Sequence, residues 1–284
     1  MKRILLTGST GFIGSNILKD FQKDNQIFIL LRKKKKSKNF FHKNIFSVKF
    51  SNYVDLNRKL KKLRIDIVFH CATHYTKQHK YSDIEKFISS NILLGNIILE
   101  NLIFMKVKKF INFSTVWQDP YPASDDFQNL YAVYKSAFSK IVKFYKKKMP
   151  KISFSEVILT DTFGLDDNRD KLITTIKKNF KANKFTKIIS KNLYLNLINI
   201  TDIINGLRMI IKNKTQPGQY VFKNLYDLKV YDLIKKFNLS SKRKLKVKWL
   251  SNQVIKNKIF KYDQLNFWKV NESSINDIIN YIKK

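Results

Sequence analysis

Cysteine is almost missing from this sequence: Cys71 is the only one in 284 residues. No intramolecular disulfide can form, and a reducing, cytoplasmic setting is the natural reading. Proline and glycine are scarce, at four and seven residues, and no internal repeat is visible. Long apolar runs are also absent. The stretch from Asn91 to Phe104 is interrupted by Gly95, Asn96, Glu100 and Asn101 and does not read as a membrane span. Ile4-Leu5-Leu6 behind Lys2 and Arg3 is too short for a secretory leader and breaks at Thr7-Gly8.

Acidic residues are the other shortage, 21 against 56 basic ones, for a net charge of +35. Such a charge invites a nucleic-acid or anionic-membrane reading. Only seven of the basic residues are arginine, however, and base-reading and bidentate phosphate sites favour arginine. The chain is also rich in Asn, Ile, Phe and Tyr, which share AT-rich codons with lysine. The charge therefore reads as a solvated lysine surface. His70, Cys71, His74 and His79 crowd one strand end and loop, with His42 alone elsewhere. They do not supply four separately placed ligands, so no metal is expected.

What is present starts with Thr7-Gly8-Ser9-Thr10-Gly11-Phe12-Ile13-Gly14. An apolar strand (Ile4 to Leu6) precedes it, and helix-like apolar spacing runs from Phe12 to Phe21. Strand, glycine-rich turn and helix in that order hold a dinucleotide: Gly8 for the sharp turn, Gly11 for close approach to a pyrophosphate, Gly14 for tight packing. Free N–H groups at the helix start would face the phosphates. The second strand, Gln26 to Leu31, ends at Arg32-Lys33, with no acid to bond a ribose 2′-hydroxyl. A guanidinium there suits a 2′-phosphate, which favours NADP(H) over NAD(H).

Further strands are expected at Ile45 to Phe50, Ile65 to Phe69 and Lys109 to Phe113. A helix is expected over Leu56 to Leu63 and one continuous helix over Ser82 to Phe104 containing Asn91. Small residues at Cys71-Ala72-Thr73 would let the chain pass along a cofactor. A later helix carries Tyr131 and Lys135, four apart and so on one face. A nearby ammonium favours the tyrosinate and tunes such a tyrosine for proton exchange. About two Tyr-x-x-x-Lys pairs are expected by chance in so lysine-rich a chain, and two occur, here and at Tyr231/Lys235. Only Tyr131 follows a strand ending in two hydroxyl residues, Ser114 and Thr115.

Together these elements resemble the extended short-chain dehydrogenase/reductase, or NAD-dependent epimerase/dehydratase, family. The runs at 114–118 and 129–132, 161–172 and 195–202 are similar to its nucleotide-sugar reductases of the CDP-abequose synthase type. The resemblance implies an α/β fold: a Rossmann-type doubly wound parallel sheet with a small interleaved C-terminal substrate cap. The cofactor domain would span 1–160 with a return segment at about 195–212, and the cap 161–194 and 213–284. It implies Tyr131 as proton donor, Lys135 on the nicotinamide ribose, and Thr115, or Ser114 in its place, on the reacting oxygen. Cofactor contacts would come from Gly8, Thr10, Gly11, Phe12, Ile13, Gly14, Arg32, Lys33, Ser51, Cys71, Ala72, Thr73, Asn91, Tyr131, Lys135 and Thr160. His74, Gln118, Thr162 and Arg169 would meet the nucleotide sugar. Arg169 can equally be read as the ion-pair partner of Asp166, Asp167 or Asp170.

The expected reaction is NADPH-dependent reduction of a nucleotide-linked 4-keto-6-deoxy sugar, in polysaccharide biosynthesis, by an enzyme that the resemblance makes a homodimer. The alternatives are an epimerase or dehydratase with tightly held NAD(P), and a non-catalytic protein of the same fold that binds nucleic acid through its basic surface. Val116-Trp117 stands where a dehydratase would carry an acid pair after Thr115, which argues against dehydration.

Overall fold

The computed structural model describes residues 1–32, 42–119, 126–212, 216–255, 263, 265 and 268–284. Strand β1 (Arg3–Thr7) opens the chain and leads through the glycine turn into α1 (Phe12–Phe21). Then follow β2 (Gln26–Arg32), β3 (Ile45–Phe50), α2 (Tyr53–Leu60) and β4 (Ile67–His70). The central strands β1, β4 and β5 are almost wholly buried, as expected for a sheet covered on both faces; β1 and β4 are built on the apolar runs Ile4-Leu5-Leu6 and Ile67-Val68-Phe69, while β5 also buries Asn112.

The helix expected over 82–104 is broken up. A 3₁₀ turn at Tyr81–Asp83 and α3 (Ile84–Phe87) pass into a π-helical stretch at Ile88–Leu93, then α4 (Leu94–Glu100). Apolar spacing carries through all of these, so the pattern alone cannot separate them. Asn91 is buried inside the π turn, a local widening that often marks a functional position. Next come β5 (Lys109–Thr115), α5 (Leu130–Lys148) and β6 (Ser153–Leu159). Asn129 caps α5, its side chain accepting from the Ala132 N–H at 3.0 Å.

The remaining elements are short. They are β7 (Asp161–Phe163), α6 (Leu172–Lys181), β8 (Thr186–Ile188), β9 (Asn192–Leu195), β10 (Leu197–Asn199) and α7 (Ile200–Ile211). After them come β11 (Gln219–Phe222), β12 (Leu228–Lys229), α8 (Val230–Leu239), β13 (Val247–Trp249), β14 (Val254–Ile255) and α9 (Ile275–Lys283).

The main sheet has seven strands in the order β11-β6-β5-β4-β1-β2-β3. Strands β3, β2, β1, β4 and β5 run parallel, with Ile4 beside Ile27 on one side and Ile67 on the other. The order reverses between β1 and β4, and in open α/β sheets the crevice at that switch, beyond the strand carboxyl ends, is where ligands bind. The chain divides into two compact units, Met1–Ile158 with Gln216–Tyr220, and Leu159–Thr215 with Val221–Lys284. Helix α7, which the sequence reading put with the cofactor domain, falls in the second unit. The second unit has its own apolar core, built from Phe163, Ile176, Leu233, Phe237, Ile278 and their neighbours. Its α7 is anchored by buried Asp202, which accepts from the Ser273 hydroxyl at 2.6 Å and from the Asn271 N–H at 2.9 Å.

Candidate active site

In the first unit the expected residues gather at the carboxyl ends of β1, β2, β3, β4 and β5. Gly8 has φ +69°, a region other residues rarely occupy. A methyl group built on it would stand 2.8 Å from the backbone of Cys71 and Ala72, and one on Gly14 only 2.2 Å from the Gly8 carbonyl oxygen. Thr7 fastens the same corner. Its hydroxyl accepts from the Ala72 N–H at 2.9 Å and pairs with His70 Nδ1 at 3.1 Å. Burial, with the Lys135 cation nearby, pulls the His70 pKa down to about 3, so this imidazole stays neutral. Burial likewise pushes the Cys71 thiol up, leaving it unreactive.

Gly11 behaves differently from its two neighbours. A methyl group there meets only the Gly8 oxygen, at 3.4 Å. Gly11 is also the N-cap of α1 and offers no side chain to the helix's first N–H groups. A cradle that one Cβ would fill, set against a helix N-terminus, fits a pyrophosphate.

At the end of β2, exposed Arg32 is held by Tyr53, its Nη2 donating to the Tyr53 hydroxyl at 2.9 Å. Tyr53 donates in turn to the Ser89 carbonyl at 3.0 Å. Lys33 lies outside the described residues. Ser51, just beyond β3, gives both its N–H and its hydroxyl to Asp55 Oδ2, at 3.1 and 3.3 Å. Asp55 also takes Lys59 and Arg58, and this company holds its carboxyl well below the usual range. Sequence reading passed over Asp55, although its place three residues after Asn52 fits the first turn of a capped helix.

Asn91 grips the backbone of His74 from both sides, accepting its N–H at 2.6 Å and donating to its carbonyl at 3.1 Å. The His74 ring bonds Asp83 at 3.2 Å and packs edge-on against Phe87. It is thus tied within the first unit.

Thr115 and Ser114 end β5, and their hydroxyls are used differently. Ser114 donates to the Gln118 side chain. Thr115 Oγ1 accepts from the Trp117 N–H at 3.3 Å, which leaves its own proton to give. Lys135 is buried and donates to the Phe113 carbonyl at 2.7 Å. Its Nζ stands 5.9 Å from the centre of the Tyr131 ring. Burial lowers the Lys135 pKa to about 8, against the pull of Cys71 and Glu156. Tyr75 packs edge-on to Tyr131 at 5.0 Å and lies 6.2 Å from Trp117, so the half-buried tyrosine sits among rings. Nothing in the spacing of the sequence marks Tyr75.

Three expected residues belong to the second unit. Thr160 donates to the Phe222 carbonyl at 3.2 Å. Arg169 forks onto buried Asp167, at 2.7 and 2.8 Å, and reaches the Thr162 hydroxyl at 2.8 Å. The ion-pair reading of Arg169 therefore describes its state here, with Asp167 as the partner.

The NAD dependent epimerase/dehydratase family matches residues 4–222. The chain belongs to that family. It is thereby an oxidoreductase-type enzyme that works with a nicotinamide dinucleotide. Two curated relatives are both CDP-abequose synthases. The one from Salmonella muenchen is 24% identical over 85% of this chain and 83% of its own. The one from Yersinia pseudotuberculosis is 26% identical over 77% and 75%. Among solved structures, the Bordetella bronchiseptica enzyme WbmH in complex with NAD+ shares the fold. It has TM-score 0.75 and 16% identity, covering 99% of this chain and 97% of its own. No helix among the described residues is long and apolar enough to cross a membrane.

The glycines give a sharp test of the cradle. Gly11→Ala should fold, at a cost of about 1 kcal/mol for a poorer N-cap, yet lose about tenfold or more in dinucleotide affinity. Gly14→Ala drives a methyl into backbone and should lose about 3 kcal/mol of stability. Thermal melting and titration with NADPH fluorescence separate the two; equal affinity for Gly11→Ala and wild type would remove Gly11 from the phosphate site.

Proposed function

We propose that the protein is an NADPH-dependent reductase of a nucleotide-linked 4-keto-6-deoxy sugar. The observation that carries this reading is the set of Thr115 with a proton to give, Tyr131, and buried Lys135 four residues on, with no acid following Thr115. Val116 is buried there, and the Trp117 ring lies tilted beside Tyr75 at 6.2 Å. One proton donor and one hydrogen-bonding hydroxyl are what carbonyl reduction asks of a protein, whereas dehydration asks for an added acid/base pair. The two curated relatives are named for making a CDP-linked sugar, which supports a nucleotide-linked substrate.

A bound nicotinamide would supply the hydride. Tyr131 gives its phenolic proton to the oxygen that becomes the alcohol. Thr115 donates a hydrogen bond to that same oxygen as negative charge grows on it. Lys135 holds the ribose and, while charged, eases proton release from Tyr131. Gly8, Thr10, Gly11, Phe12, Ile13 and Gly14 carry the pyrophosphate, with Cys71, Ala72, Thr73 and Thr160 lining the rest. Asn91 acts through the backbone of His74. Ser114 orients Gln118 toward the sugar, while Thr162 and Arg169, the latter aimed by Asp167, meet the diphosphate. Arg32, aimed by Tyr53, reads the 2′-phosphate.

A second reading follows from the family's own description: an epimerase that returns the hydride to its substrate. Purified protein, NADPH or NADH, and a panel of nucleotide-linked 4-keto-6-deoxy sugars distinguish the two. Consumption of NADPH with one sugar supports the reductase; conversion of a sugar with no net consumption supports the epimerase. In the same assay Arg32→Ser should raise the KM for NADPH about tenfold or more, the worth of a charge-assisted phosphate contact, and leave NADH unchanged. An unchanged KM for NADPH would take Arg32 out of the cofactor site.

A further inference from the structure

The second unit carries a small sheet whose two faces have opposite character. Strands β8 and β13 lie parallel, with Thr186 beside Val247, Lys187 beside Lys248 and Ile188 beside Trp249. The pairing continues past the strand ends: the Thr186 N–H bonds the Lys246 carbonyl at 2.8 Å, and the Leu250 N–H bonds the Ile188 carbonyl at 2.9 Å. Thr186 and Ile188 are buried, and Ile188, Val247 and Trp249 pack on the unit's apolar core. Alternation then puts the intervening residues on the other face.

That outer face has three rows. Phe185, 67% exposed, stands beside Lys246, whose Nζ lies 5.9 Å from its ring centre. Exposed Lys187 and Lys248 stand side by side. Ile189 and Leu250, 56% and 58% exposed, close the patch. Like charges directly opposite each other weaken a sheet, and large apolar side chains in water gain nothing for the fold. Segments 184–191 and 242–250 hold eight basic residues and no acid. Three of the eight are occupied elsewhere: Arg243 and Lys244 on backbone carbonyls, Lys191 over the Tyr231 ring at 4.7 Å.

We propose that the outer face of β8 and β13 docks on an anionic lipid bilayer. The three lysines meet headgroup charge, and Phe185, Ile189 and Leu250 enter the boundary between headgroups and acyl chains. A nucleic acid fits less well, because the face has no arginine and a single ring, and two of its three apolar residues are aliphatic and cannot stack on bases. A second copy of this face would set lysine against lysine. The inference is independent of the proposed reaction.

The test is co-sedimentation of the full chain with vesicles of phosphatidylcholine alone or mixed with phosphatidylglycerol. A protein of this charge can bind anionic vesicles anywhere on its surface, so a control of equal charge is needed. Lys187→Gln/Lys246→Gln/Lys248→Gln should lower binding to the mixed vesicles about a hundredfold. Phe185→Ser/Ile189→Ser/Leu250→Ser should lower it about tenfold with charge intact. Lys146→Gln/Lys147→Gln/Lys148→Gln, at the exposed end of α5, should retain wild-type binding. Thermal melting confirms that each variant is folded. The proposal is overturned if the α5 control loses as much as the face variant, if the apolar variant binds like wild type, or if wild type ignores mixed vesicles. Preference for random-sequence duplex DNA over vesicles, with the same residues responsible, would replace the bilayer with a nucleic acid.

Discussion

Tyr131→Phe is expected to lower turnover about a thousandfold while leaving the protein folded and able to bind NADPH. The magnitude is that of losing a positioned proton donor. The phenyl ring keeps the edge-on contact with Tyr75 at 5.0 Å and its place in the first turn of an α5 capped by Asn129. Only the hydroxyl is lost, so the change falls on chemistry and not on binding. Single-turnover NADPH oxidation gives the rate and a fluorescence titration the affinity. Retention of more than a tenth of wild-type turnover would rule out Tyr131 as the donor. The wild-type rate carries a pH signature as well. The Lys135 pKa is lowered from that of a free lysine to about 8 by burial. Below that pH the ammonium stands near the Tyr131 ring and eases proton release; above it the charge is gone, and the rate should fall as pH rises through about 8. A rate that stays flat to pH 10 would detach Lys135 from the step.

The parts of the fold that could be read directly are those set by local sterics. Gly8 and Gly14 leave no room for a side chain, and a strand, a turn with those glycines and an apolar-spaced helix admit few other arrangements. The hydroxyl pair Ser114-Thr115 and the Tyr131/Lys135 helix face were legible for the same reason: each is contiguous or one helical turn apart. What was not legible depends on partners far along the chain. Arg169 looked free to choose among three aspartates until buried Asp167 and Thr162 engaged it. The contact of Ser51 with Asp55 exists only because α2 brings that carboxylate back to the end of β3. The π turn around Asn91 leaves the apolar spacing intact, so it left no trace in the pattern. Strand β11 was recognisable as a strand, but its position on the far edge of the main sheet, next to β6, is set by pairing across the 59 residues that separate the two strands.

Glu156→Ala should be the most destabilising single change at any acid of the first unit, by about 3 to 5 kcal/mol, the range for breaking a buried charged network. Glu156 lies within β6 and is only 4% exposed. Its Oε1 accepts from Asn112 Nδ2 at 3.0 Å, and its Oε2 from the Ser139 hydroxyl at 2.8 Å and from Gln219 Nε2 at 2.6 Å. One carboxylate thus joins β5, α5 and β11 across the sheet. Alanine leaves buried Asn112 and Ser139 and half-buried Gln219 without their acceptor, as well as a cavity. Glu156→Gln keeps the volume but exchanges one accepting oxygen for a donor, so at least one of the three must lose its partner, at about 1 to 3 kcal/mol. Urea unfolding of both variants checks the order; an alanine variant no less stable than the glutamine one would mean that the network does not carry the load assigned to it. The pair also separates packing from charge. Ser139 is one helical turn beyond Lys135, and the Glu156 carboxylate helps hold the ammonium in its charged form against burial. In the glutamine variant that support is gone, so the Lys135 pKa drops further and the alkaline fall in rate should begin at lower pH than in wild type. A purely structural Glu156 would change the denaturation midpoint and leave that pH unmoved.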